Sequence, residues 1–86
     1  QAPVFKVQIF VSGKRLKPTS SEFKGLTNTD YYVESGLSKY TVGADTDFAK
    51  VEKIRREIYA KFPKAFIIAF IGDKKITARE ALKLNK

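Results

Sequence analysis

The sequence predicts an α+β domain in which helices cover one face of a four-stranded antiparallel sheet. Three observations predict it. Val4 to Ser12 (VFKVQIFVS) carries an unbroken apolar row at period two, Phe5, Val7, Ile9 and Val11, opposite a mixed row of Val4, Lys6, Gln8, Phe10 and Ser12. That is the pattern of a strand buried on one side and partly solvated on the other. Asp45 to Phe62 places Phe48, Val51, Ile54, Ile58 and Phe62 at steps of three and four, a single apolar helical stripe. Ala65 to Ile71 (AFIIAFI) is a strand-length apolar run bounded by Pro63 and Gly72.

The remaining elements follow in order. After Gly13, the segment to Asn28 holds Pro18, Thr19, Ser20 and Ser21, which favour turns and caps. It is expected to form only one or two helical turns, capped by Ser20 or Ser21, carrying Phe23 and ending at Gly25. Asp30 to Val33 and Leu37 to Gly43 read as two strands joined through Glu34-Ser35-Gly36, an ordinary hairpin loop. Tyr31 and Tyr32 fall on opposite faces of the first of these, and the pattern does not say which is core. One of Asp45, Thr46 and Asp47 caps the long helix, Lys50, Lys53, Arg55, Arg56 and Lys61 line its solvent side, and Pro63 stops it. Gly72-Asp73 makes a turn. Thr77-Ala78-Arg79-Glu80 has the form of a capping box and opens a short extra C-terminal helix to about Leu84. The order β-α-β-β-α-β is the ferredoxin-like split arrangement, with one sheet face left open.

Eighty-six residues make one domain, with 1–86 as its extent. With Gln1 in place of an initiator Met, the chain is expected to be an excised piece of a larger protein. It has no Cys and no His, which removes disulfides, thiolate clusters, imidazole bases and imidazole metal ligands. The nine acidic residues are scattered, and no spacing pairs two of them as acid and base. The expectation is a non-catalytic domain without cofactor or metal. No apolar run reaches the roughly 18 residues of a membrane span. The net charge of +8 suits an anionic partner.

By strand alternation, Lys6, Gln8 and Phe10 share the open face, and if Tyr40 and Val42 pack inward then Leu37, Lys39 and Thr41 join them. A flat apolar group beside an amide and a cation suits a sugar: C–H faces stack on rings, amides bond hydroxyl and acetamido groups, and the cation offsets an acid.

Phe5-Lys6-Val7-Gln8-Ile9 resembles the opening strand of SPOR domains, and Ser38-Lys39-Tyr40-Thr41-Val42-Gly43 resembles their third strand. The longer string is similar to the C-terminal SPOR-like domain of certain bacterial N-acetylmuramoyl-L-alanine amidases. It comprises Phe23-Lys24-Gly25-Leu26, Tyr31-Tyr32, Gly36-Leu37, Lys39 to Gly43, Lys61-Phe62-Pro63 and Ala65 to Phe70. The resemblance implies binding to peptidoglycan glycan strands stripped of stem peptides, in the periplasm or cell envelope at division sites, as a targeting module for an attached hydrolase. It implies Gln8 and Lys39 as the main glycan-binding residues, Lys39 standing at an Arg position and Leu37 where a ring is common, with Lys6, Phe10 and Thr41 beside them. A monomer is expected. Two other readings stay open. One is RNA or single-stranded nucleic-acid binding on the same face, disfavoured because the third strand lacks the basic-Gly-aromatic-Gly-aromatic signature. The other is a protein-docking or regulatory domain of an amidase.

Overall fold

The computed structural model describes residues 1–84. Five antiparallel strands, β1 (Val4–Ser12), β2 (Thr29–Glu34), β3 (Leu37–Asp45), β4 (Phe66–Ile71) and β5 (Lys74–Thr77), form one sheet in the order β2-β3-β1-β4-β5. The strand count is therefore five rather than four. Ile71 pairs with Lys74 across a two-residue turn, Gly72-Asp73, so the chain folds straight back into β5 before its last helix. The β2–β3 hairpin turns on Ser35 and Gly36, both at positive φ (55° and 76°), which matches the twist of the flanking strands.

Two helices pack on one face. Helix α1 (Phe48–Glu57) starts at Asp47, whose carboxylate accepts the Ala49 N–H at 2.9 Å. It is shorter than the expected Asp45–Phe62. Ile58 leaves the helical basin (φ −97°, ψ 2°) and the chain continues in turns, in which the Phe62 N–H donates to the Ile58 carbonyl at 2.8 Å. The apolar stripe holds through that change: Val51, Ile58 and Phe62 are buried, with Phe48 and Ile54 packed against the core. Helix α2 (Ala78–Leu84) opens on the expected capping box. Glu80 N–H donates to Thr77 Oγ1 and Thr77 N–H to Glu80 Oε1, both at 3.0 Å. This backbone bond holds the Glu80 carboxyl below its ordinary pKa.

No first α-helix exists among the described residues. Ser21–Phe23 is one 3₁₀ turn, capped by Ser20, and it serves to bury Phe23 between Phe10 and Tyr40 at ring distances of 5.4 and 5.1 Å. Lys24 (φ 53°) ends it, and its ammonium donates to the Lys61 carbonyl while Lys61 donates to the Lys24 carbonyl, at 2.8 and 2.9 Å. These reciprocal bonds tie the turn to the chain after α1.

Two irregularities shape the sheet. Between Phe5↔Asp45 and Val7↔Val42 the longer step falls on β3, at Gly43-Ala44. Between Gln8↔Thr41 and Phe10↔Tyr40 it falls on β1, at Ile9. Such β-bulges bend a strand and sharpen the local twist. Gly43 adopts φ 74°, a backbone conformation that L side chains rarely take, so the bulge favours glycine there.

Candidate functional site

The bulges curl the helix-free face into a trough. In a flat sheet β2 and β5 lie four strand spacings, about 19 Å, apart. Here Glu34 of β2 and Lys75 of β5 meet at 2.6 Å, and Tyr32 of β2 meets Phe70 of β4 edge-to-face at 5.2 Å between ring centroids. The expected open platform is thus a concave surface whose two rims touch.

The floor of the trough is satisfied and buried. Thr41 is 1 % exposed, Ile68 4 % and Gln8 7 %. The Tyr32 hydroxyl donates to Gln8 Oε1, and no buried side-chain nitrogen or oxygen among the described residues lacks a partner. Gln8 and Thr41 share the helix-free face as expected, but both are buried floor, and Gln8 is held by the Tyr32 hydroxyl. Phe10 is on the other face. The bulge at Ile9 advances β1 by one residue, so Phe10 lies opposite Tyr40 and packs among Tyr40, Phe23 and Phe62 at 5.3, 5.4 and 6.1 Å. Strand alternation carried through the bulge without a slip puts it on the wrong side. Tyr31 follows Tyr40 onto the helix side (5.8 Å), and that leaves Tyr32 for the trough.

At one end of the trough is a groove of about 550 Å³ whose walls include Val4, Lys6, Tyr32, Ala44 and Phe70. A smaller hollow of about 280 Å³, bounded by Asp30, Thr41 and Gly43, meets it at Lys6 and Ala44. The Lys6 ammonium stands 5.3 Å from the Phe70 ring centre and 3.8 Å from Asp30 Oδ2. Its side chain is a quarter exposed, so it keeps free donors toward the groove. Of the six residues expected at the site, Lys6 is the one whose charged head lines the groove.

At the other end Lys39 and Lys75 both donate to Glu34 Oε1, at 2.5 and 2.6 Å. Lys39 is therefore held by its own chain. The Lys75 ammonium also stands 5.5 Å from the Tyr32 ring centre, which joins this cluster to the groove. Leu37, 39 % exposed, lies on the rim opposite Glu34 in the hairpin. The structure adds Tyr32, Glu34, Phe70 and Lys75 to the site. Signals for them existed: Lys74 to Thr77 after a Gly-Asp turn is a hairpin pattern, and fixing Tyr40 inward would have fixed Tyr32 outward.

The Lys39 hydrogen bond first, then that of Lys75, holds the Glu34 carboxyl below its ordinary 4.5. The Glu34 bond likewise raises Lys75 above 10.5. A carboxyl whose pKa is lower when folded stabilises the fold above its unfolded pKa and loses that contribution as pH falls through the folded value. The lysine loses its share as pH rises through its raised value. The clasp is therefore complete from about pH 5 to about pH 10. Thermal melts of the wild type and Glu34→Gln should differ at pH 7, and the difference should shrink as acid protonates Glu34; a difference that stays constant or grows on acidification would contradict the assignment.

Comparison with family models, with curated proteins and with solved structures finds no match to this chain. Among the described residues no helix is long and apolar enough to cross a membrane.

Proposed function

We propose that this domain is a non-catalytic module that binds denuded peptidoglycan strands along its helix-free face and targets an attached cell-wall hydrolase within the envelope. The observation that carries the reading is the groove in which two rings, Tyr32 and Phe70, stand beside the ammonium of Lys6. Rings of this kind accept the apolar C–H faces of sugars. A lysine complements the lactyl carboxylate that each muramic acid regains when its peptide is removed. The strand order β2-β3-β1-β4, with both helices on one face, supports the ferredoxin-like arrangement. In that reading the 3₁₀ turn replaces the first helix and β5 extends the sheet. The net charge of +8 supports a polyanionic partner. The sequence resemblance to SPOR-like domains supports the same ligand.

The test is co-sedimentation with insoluble sacculi, before and after amidase stripping, at about 0.15 M salt, where charge attraction is screened beyond roughly 8 Å. Stronger retention on stripped sacculi, lowered several-fold by Lys6→Met, is the expected result. Equal or absent retention on both preparations would overturn the reading in favour of protein docking.

A further inference from the structure

We infer that Lys39 and Lys75 form a carboxylate-binding site which Glu34 fills in the free protein, and that an anionic sugar seats its own carboxylate there by displacing Glu34. The inference rests on the glycan reading above and names a second contact in that site. Two ammonium groups from different strands converge on one oxygen, Glu34 Oε1, at 2.5 and 2.6 Å. That is the donor set a ligand carboxylate requires. Among the described residues neither lysine makes an ion pair with any other acid.

The cluster is reachable. The side chains of Lys39, Lys75 and Glu34 are 19 %, 32 % and 39 % exposed. Glu34 is the last residue of β2, next to the Ser35-Gly36 turn, so its side chain can swing outward without breaking a ladder bond inside the sheet. The site is also continuous with the groove, since Lys75 stands over Tyr32 and Tyr32 meets Phe70. A sugar stacked on those rings has two ammonium groups beside it once Glu34 has moved.

A tethered carboxylate competes at an effective concentration on the order of millimolar. A single acidic sugar offers one carboxylate and little else, and it loses that competition. A strand that also fills the groove gains ring contacts that Glu34 cannot supply. Self-occupancy by Glu34 therefore selects strands over free acidic sugars.

The test is an NMR titration of N-acetylmuramic acid into the wild type, Glu34→Gln and Glu34→Gln/Lys75→Met, with N-acetylglucosamine as the neutral control. Glu34→Gln should bind N-acetylmuramic acid about tenfold more tightly, by removing the competitor. The largest shifts should fall on the Lys39 and Lys75 side chains, and the double variant should lose the gain. N-Acetylglucosamine should bind both proteins alike. Glu34→Asp, one methylene shorter and still charged, should show a smaller gain and serves should Glu34→Gln fail to fold. No gain in whichever of these variants folds, or an equal gain for both sugars, would overturn the inference. Sodium acetate separates the two proposals. Acetate-induced shifts at Lys39 and Lys75 in Glu34→Gln support the carboxylate site even if stripped sacculi are not retained. Retention of stripped sacculi without acetate shifts leaves the glycan reading standing and removes this one.

Discussion

Replacing Phe10 by alanine is expected to cost about 2–3 kcal/mol of folding stability, at the lower end for a large-to-small core change because Phe10 is only partly buried. The ring sits among Phe23, Tyr40 and Phe62 on the helix face, and each of those rings would lose a neighbour. A domain of this size holds roughly 5–10 kcal/mol in total, so the loss is a large share and should lower the melting temperature by about 10–20 °C. Were Phe10 instead a sugar platform on the open face, the variant would melt normally and fail only in binding. Denaturant unfolding together with sacculus retention separates the two outcomes.

Tyr32 gives the largest expected effect on binding, and two substitutions divide its roles. Tyr32→Ala removes one of the two groove rings and the donor to Gln8, and retention on stripped sacculi should fall at least about tenfold, equivalent to roughly 1.4 kcal/mol. Tyr32→Phe keeps the ring and loses only the hydroxyl. The Gln8 carbonyl is then left buried without its donor, at a cost of about 1–2 kcal/mol in stability. Binding by Tyr32→Phe should stay within about twofold of wild type, since the ring face remains. Equal loss of binding in both variants would mean that the hydroxyl, or the fold, and not the ring, carries the contact.

The sequence conveyed the architecture through periodicity and left the curvature unstated. The stripe from Phe48 to Phe62 packs into the core although the helix ends at Glu57, the row Phe5-Val7-Ile9 is buried while its expected fourth member Val11 is exposed, and the Thr77–Glu80 box forms as expected. The site depended on register. One extra residue at Ile9 sends Phe10 to the core, and Gly43-Ala44 adds the second bend. Alternation within a single strand carries no mark of either. Because the sheet then curls, Glu34 and Lys75, 41 residues apart, become partners. Lys39 and Gln8 lie on the expected face, yet Lys39 is engaged by Glu34, its diagonal neighbour across the hairpin, and Gln8 by Tyr32, a long-range contact that no spacing in the chain encodes. Lys6 kept its expected place because it precedes the Ile9 bulge and pairs regularly with Ile68 on β4.

The most direct test of the central claim is to map where a soluble glycan strand, freed of peptides, contacts the isotope-labelled domain by NMR. Binding along the helix-free face predicts that shifts concentrate at Lys6, Tyr32 and Phe70 and extend to Lys75, with α1 and Phe10 little affected. Shifts centred on the cationic face of α1, or none at ligand concentrations that saturate sacculus binding, would contradict it.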